Sequence, residues 1–392
     1  GMTDPKNLSF WSFPTRVVVG EGAAATCAQE AQLLGGERVL LVSDATIEET
    51  GLLERVRAAL ATAGLPHETV IDISSNPIEA EVLAAAEAFK AFKADMVLAV
   101  GGGSVLDVAK LVRLAATHPG PLSDYDDAVG GSSKIVGPLP PMIAIPTTAG
   151  TGSEVGRSGV VTLAATGVKT VIFSPLLLPE VAILDPEMTR TMPPFMTAAT
   201  GMDALAHCIE AYAAIGDHPM ADAIALGGIR LCHRSLKAAT DDGDDMRARA
   251  DMLKASMMGA VAFQKGLGAC HSLAHPLSTE FGLHHGLANA ICLPAVLDFN
   301  RVAIPERIAE IARQLGVRGT DDGTLCFECA GAIRALRKAI GLPSDLRSRG
   351  IQESDLPRLA ALAYADPCHQ LNPRRCTEDD LLALYKATLD DG

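Results

Sequence analysis

The feature that most constrains the fold is the run Met96-Val97-Leu98-Ala99-Val100, which passes without a polar residue straight into Gly101-Gly102-Gly103. A strand that is apolar at every position is buried on both faces, which an antiparallel sheet with one wet face does not require. It therefore predicts a strand inside a parallel sheet. Short apolar runs at 39–42, 69–71, 142–145 and 181–184 supply further strands. Between them lie stretches of helical periodicity: one helix over 47–63, an Ala-rich one over 78–93 and another over 105–116. Alternation of this kind predicts a doubly wound, Rossmann-like α/β domain.

After Asp185-Pro186 the character changes. From residue 197 onward, long Ala, Leu and Met stretches are interrupted by Gly216-Asp217-His218-Pro219, by Asp241-Asp242-Gly243 and by the glycine-flanked segment 282–286, and no strand is expected. The 392 residues thus divide into an α/β domain, 2–190, and an all-helical domain, 191–392, each of ordinary domain size.

Composition narrows the function. With 33 basic against 47 acidic residues, net −14, and no dense Lys/Arg stripe, the chain lacks the footprint of a nucleic-acid binder. Nine scattered cysteines, an odd number, do not form a disulfide framework and read as reduced thiols in a cytoplasmic protein. No apolar stretch approaches the roughly 18 residues of a membrane span. The start, Gly1-Met2-Thr3-Asp4-Pro5, lacks a leader pattern, and Gly1 reads as a tag remnant.

Gly101-Gly102-Gly103-Ser104 lies between a strand and a helix, where small residues let a phosphate approach unpaired amides at the positive end of the helix dipole. A plain strand-to-helix turn capped by Ser104 is the competing reading. Asp44, just past an earlier strand, can accept from a ribose or cap the next helix. Pro146-Thr147-Thr148-Ala149-Gly150-Thr151-Gly152 offers hydroxyls and amides to a cofactor, or forms a polar loop bonded to itself.

Four of the ten histidines fall between His271 and His285. Asp203 and His207, four apart on a helix, leave the same face, and His271 and His275 repeat that spacing. With His285 in the turn Gly282-Leu283-His284-His285-Gly286, the clustering predicts a nitrogen/oxygen site for a divalent transition ion such as iron or zinc. Cys326 and Cys329 lack a second thiolate pair and read as two thiols.

Taken together, Gly-Gly-Gly-Ser-Val-Leu-Asp-Val-Ala-Lys (101–110), Pro-Thr-Thr-Ala-Gly-Thr-Gly-Ser-Glu-Val (146–155), Gly-Met-Asp-Ala-Leu-Ala-His (201–207), His271-Ser-Leu-Ala-His275 and His285-Gly-Leu-Ala-Asn-Ala resemble the iron-containing (group III) alcohol dehydrogenases. The resemblance extends to Phe13-Pro14, Gly20, Asn76-Pro77, Leu184-Asp185-Pro186 and Asn372-Pro373-Arg374. It implies a dehydroquinate synthase-like architecture, a metal in a cleft between the two domains, NAD as cofactor and a homodimer. Carried over by position, it implies Asp203, His207, His271 and His285 as ligands of Fe2+, with Zn2+ as the alternative, and His275 near the reacting centre. Gly102, Gly103 and Ser104 would hold the pyrophosphate, Thr147, Thr148 and Thr151 the nicotinamide half, and Lys169 a ribose hydroxyl, with Asn76 also in the cofactor set. Asp44 matches an acid that favours NAD by repelling a 2′-phosphate.

Two departures stand out. His284 occupies a position where the family often has Pro, which leaves the last ligand open between His284 and His285. Arg157 and Lys265 stand where many members are uncharged, and both are candidates to hold an anionic substrate such as a short hydroxy acid or its semialdehyde. The reaction implied is hydride transfer between a primary alcohol and an aldehyde. The competing readings are a metal- and NAD-dependent lyase of the dehydroquinate synthase kind, which would call for more Lys and Arg, and a catalytically silent scaffold on the same fold.

Overall fold

The computed structural model describes residues 8–13 and 15–391; Pro14 of the Phe13-Pro14 pair and the N-terminal Gly1 to Pro5 segment lie outside the described residues. The chain forms two compact units. One runs to residue 148 and resumes over 152–191; the other holds 192 onward together with 149–151 and 8–13. The continuous segment 2–190 is therefore corrected: residues 149–151 belong with the helices, where Gly150 lies directly against Thr200.

The first unit is built on β1 (Arg16–Val19), β2 (Val39–Val42), β3 (His67–Val70), β4 (Met96–Gly101), β5 (Met142–Pro146), β6 (Ser158–Thr162), β7 (Lys169–Phe173) and β8 (Val181–Leu184). Six strands form a parallel sheet in the order β1-β8-β5-β4-β2-β3. Strands β2, β4, β5 and β8 are buried at every position, the pattern their uniformly apolar sequences require. Each such Val, Leu or Ile contributes about 1.5–3 kcal/mol by leaving water. The helices α1 (Cys27–Leu33), α2 (Ala45–Thr50), α3 (Leu52–Thr62), α4 (Glu79–Ala91) and α5 (Gly103–Thr117) make the connections. Because β3 lies on one side of β2 and β4 on the other, the strand order reverses between β2 and β4. Open α/β sheets bind ligands beyond the carboxyl ends of the strands at such a reversal.

Two expectations are corrected. The helix foreseen over 47–63 is two helices, because Gly51 sits at φ +81°, a left-handed conformation that ends α2. The antiparallel hairpin β6–β7 escaped the sequence reading. Its strands are only five residues long and half-buried, so no continuous apolar run marks them.

Among the described residues of the second unit every regular element is a helix: α6 (Pro194–Ala213), α7 (Pro219–Asp241), α8 (Met246–Ala262), α9 (Ala269–Phe281), α10 (His285–Asn300), α11 (Pro305–Gln314), α12 (Asp322–Ala339), α13 (Leu356–Ala365) and α14 (Glu378–Leu389), with short 3-10 turns. Helix α6 is buried along almost its whole length, and α7, α8 and α10 pack on it. Among the described residues no helix is long and apolar enough to cross a membrane.

Candidate metal centre and nucleotide loop

In the α/β unit, Gly102 is the residue before α5, and the helical ladder begins with Leu106 N donating to Gly102 O at 3.1 Å. The amides of Gly103, Ser104 and Val105 precede that ladder and make up the positive first turn. Ser104 does not cap the helix; its hydroxyl donates to Ser75 O at 2.8 Å, tying the loop to the segment that carries Asn76. A Cβ on Gly102 would lie 3.4 Å from Thr148 Cγ2, so the loop runs in contact with Thr148. Thr147 is buried, with its amide bonded to Gly101 O at 3.0 Å, while Thr148 is half-buried and Lys169 is exposed at the start of β7. Asp44 caps α2: its Oδ1 accepts from Ile47 N at 2.8 Å. One carboxylate oxygen is thus committed to the helix, and Oδ2 is the atom left to face a ribose. In the helical unit, Thr151 is exposed.

The helical unit gathers the other chemistry. Asp203 and His207 project from one face of α6, His271 comes from the first turn of α9, and His285 is the first residue of α10. From Asp203 Oδ1 the distances are 3.4 Å to His207 Nε2, 3.8 Å to His271 Nε2 and 3.1 Å to His285 Nε2. One ligand atom from each residue lies within 4.8 Å of the other three. His284 is turned away: its Nδ1 accepts from Gly286 N at 3.0 Å, and its ring meets Phe195 edge-on. The geometry therefore brings His285, and not His284, into the cluster.

Two of the helices that carry this cluster touch at backbone level. A Cβ on Gly286 would fall 1.8 Å from Ala199 O, so α10 crosses α6 with no side chain between them, next to His285.

Whether the four residues fit a cation can be judged from their hydrogen bonds. His271 is 1% exposed, and its Nδ1 lies 2.7 Å from Glu210 Oε1, to which it donates. That tautomer turns the Nε2 lone pair into the cluster, where Nε2 has no hydrogen-bond partner. A buried acceptor with nothing to accept is costly unless a cation or proton meets it. Asn289, one turn after His285 on α10, donates Nδ2–H to Asp203 Oδ1 at 2.8 Å and lies 3.3 Å from His285 Nε2. The electrostatics agree. Burial pushes Asp203 upward, but the imidazoles of His207, His285 and His271 around it hold its carboxyl well below the ordinary range. Burial drives His207 down to about 4, which keeps its imidazole neutral. His271, despite burial, is raised to about 9 by the carboxylates of Asp203 and Glu210 on its two sides, so the position of its Nε2 attracts a proton or a cation. The set fits a divalent ion.

His275 stands one turn beyond His271, its ring stacked on His285 at 5.5 Å between centroids. Its Nδ1 donates to Asp366 Oδ2 at 2.6 Å, and Asp366 Oδ1 accepts from Ser272 Oγ and from Cys368 N, each at 2.9 Å. Burial lowers the His275 pKa, with Asp366 opposing. The same bond and the charge of His275 hold Asp366 far below the usual carboxylate range, against the upward push of its burial.

The two cations proposed for an anionic substrate part company. Lys265 is corrected: its side chain is 1% exposed, and Nζ donates to Asp222 Oδ1 at 2.6 Å and to Tyr212 O at 3.0 Å. It is a buried structural ion pair with no charge left for a ligand. Arg157 is half-buried, with its guanidinium 5.2 Å from the centroid of the Phe173 ring. Sequence reasoning also passed over Glu210, Asn289 and Asp366. The only signal for the first two is helical spacing, three residues after His207 and four after His285, whereas Asp366 lies 91 residues from its partner.

Comparison with known proteins gives the family of the chain. The profile described as "Iron-containing alcohol dehydrogenase" matches residues 14–186, and "Fe-containing alcohol dehydrogenase family, C-terminal" matches 197–389. The chain is 40% identical over 391 residues to a 4-hydroxybutyrate dehydrogenase of Cupriavidus necator, covering 97% of this chain and 100% of the relative. Among solved structures, a 1,3-propanediol oxidoreductase superposes with a TM-score of 0.94 at 36% identity, covering 98% of this chain and 100% of that one. A sulfoacetaldehyde reductase from Bifidobacterium kashiwanohense, solved in complex with NAD+, gives 0.87 at 30% identity, covering 97% and 99%.

Proposed function

The chain belongs to the iron-containing alcohol dehydrogenase family, and on that premise we propose that Asp203, His207, His271 and His285 hold one divalent ion serving NAD-linked interconversion of a short, anionic primary alcohol and its aldehyde. The enzyme class follows from the family: this is an NAD-dependent alcohol dehydrogenase. The observation that carries the ligand assignment is the His271 Nε2 lone pair, buried, partnerless and fixed in place by Glu210. Iron, with zinc as the alternative, suits the three-imidazole, one-carboxylate set.

A divalent ion bound there supplies Lewis acidity toward the substrate oxygen, and NAD supplies the hydride acceptor or donor. The chain's own residues do the rest. Asn289 and Glu210 orient the ligand side chains Asp203 and His271. His275 gives its Nδ1–H to Asp366, which leaves Nε2 as the atom that holds or passes the proton lost by the alcohol. The first-turn amides of α5, at Gly103 and Ser104, hold the pyrophosphate beside Gly102; Thr147, Thr148, Thr151, Lys169 and Asn76 complete the nucleotide set. Asp44 Oδ2 selects NAD over NADP by charge.

The anionic substrate is supported by the relatives that act on 4-hydroxybutyrate and on sulfoacetaldehyde, both charged. With Lys265 committed to Asp222, Arg157 is the remaining candidate anchor. The test is steady-state kinetics on ω-hydroxy acids against neutral alkanols of equal length. A lower KM for the acid, erased in Arg157→Ala, is expected; equal kcat/KM for the two substrates assigns the enzyme to neutral alcohols. Nine cysteines, none in a disulfide, support a reducing, cytoplasmic setting. The family resemblance supports a homodimer, which sedimentation equilibrium would test.

A further inference from the structure

Helix α9 delivers His271 to the cluster, yet it begins without any local cap: the residue before it is Gly268, which has no side chain to offer. Its first amides find partners far away in sequence. Ala269 N donates to Asn372 Oδ1 at 3.1 Å, Cys270 N to Glu210 Oε2 at 2.9 Å and His271 N to Glu210 Oε1 at 3.0 Å; only Ser272 N, donating to Gly268 O, starts the ladder. The Glu210 Oε1 that takes the His271 amide also takes the Nδ1–H of the same residue at 2.7 Å. Main chain and imidazole of one ligand are thus gripped by one carboxylate. That carboxylate is 3% exposed and lies on α6, three residues beyond the ligand His207 and seven beyond Asp203.

We propose that Glu210 is a positioning residue of the metal centre: by gripping His271 at both its amide and its Nδ1, it sets the distance from α6 to α9 and aims the Nε2 lone pair at the ion. The inference rests on the metal assignment above. Two physical reasons support it. A neutral imidazole is a ligand only through the nitrogen that lacks a proton, and an acceptor at Nδ1 decides which nitrogen that is. A carboxylate at the amino end of a helix is held by the unpaired amides and the dipole, so its position is set by the backbone and not by a freely rotating side chain. Glutamine in its place keeps one accepting oxygen for His271 but turns an NH2 group toward the Cys270 amide, donor against donor.

The experiment compares the full-length wild type, Glu210→Gln, Glu210→Ala and Asp203→Ala, each stripped of metal and reloaded with Co2+. Readouts are Kd by chelator competition, the visible ligand-field spectrum of the bound Co2+, and the unfolding temperature of the metal-free protein. For Glu210→Gln a 10–100-fold weaker Kd and a shifted spectrum are expected, with a greater loss in Glu210→Ala. The Gln variant carries the test where the Ala variant fails to fold. A Glu210→Gln protein with wild-type Kd and spectrum, even one with a lowered metal-free unfolding temperature, overturns the inference and makes Glu210 a helix cap only. If Asp203→Ala also binds Co2+ like the wild type, the metal assignment itself falls.

Discussion

Two buried groups of charged side chains, one in each unit, are built on opposite principles. In the α/β unit, Lys110 is fully buried, and its Nζ donates to Ser153 Oγ at 2.8 Å and to Ser158 O at 2.9 Å. Asp107 closes the circuit by accepting from Ser153 Oγ and from Val160 N, which ties α5 to the β6–β7 hairpin. Glu154 joins this group with Oε1 unpaired, and burial pushes its carboxyl up to about 7, so a proton supplies what no partner does. Donors meet acceptors inside the group. In the helical unit, by contrast, Asp203 and the imidazoles of His207, His271 and His285 turn electron-rich atoms toward one another, and the hydrogen bonds that hold them come from outside, from Glu210 and Asn289. A closed cluster is architecture, whereas one that converges acceptors calls for an external cation.

The contrast can be broken at either end. The largest effect is expected from Asp203→Ala, with bound metal lost and kcat/KM for the alcohol down by about 10⁴-fold, roughly 5 kcal/mol. Metal analysis alongside kinetics checks it. A variant that retains stoichiometric metal would remove the distinction between the clusters. Next comes Lys110→Met, which leaves the partly buried Asp107 without its counter-charge and should cost about 3 kcal/mol in urea unfolding. If the α/β cluster is only architecture, metal content stays unchanged.

Smaller effects sharpen the comparison. His275→Ala should keep its metal and lower kcat by about 10²-fold, the usual scale of general acid–base catalysis. Loss of metal in that variant would move His275 into the ligand set. The smallest effect concerns Glu154. Its folded pKa is raised from 4.5 to about 7, so the unfolded carboxyl ionises first and folding loses free energy as pH rises from 4.5 to 7. Above 7 the penalty is constant, on the order of 3 kcal/mol. Lys110, depressed to about 8 by its burial, contributes its own penalty below pH 8, so it does not vary over that window. Glu154→Gln should therefore be more stable than the wild type at pH 7.5 and nearly equal to it at pH 4.5, as read from paired urea titrations.

What could be read from the sequence follows the same division between local pattern and remote partner. The β4 and β5 runs announced themselves because every position is apolar, and the Asp203/His207 pair because helical spacing fixes a shared face. The break at Gly51 was missed because its flanks are ordinary helix formers and only the backbone angle ends the helix. Lys265 was misread for a deeper reason: a cation in an acidic chain looks available until Asp222, 43 residues away, is found beside it. Glu210 and Asp366 were invisible for the same reason, since each acts on a partner on another helix. Spacing reveals which residues share a surface; it is silent about which surfaces meet.

The contact of Gly286 with Ala199 O adds a last consequence. The proposed ligands come from three helices with no covalent ring to hold their bite, so the width of the cage they form is a matter of helix spacing. At α6 and α10 that spacing is set by the missing methyl group of a single residue. Gly286 is thus a calibration point: adding one carbon there would widen the aperture between Asp203 and His285 and change which ionic radius the cage prefers, without altering any donor atom.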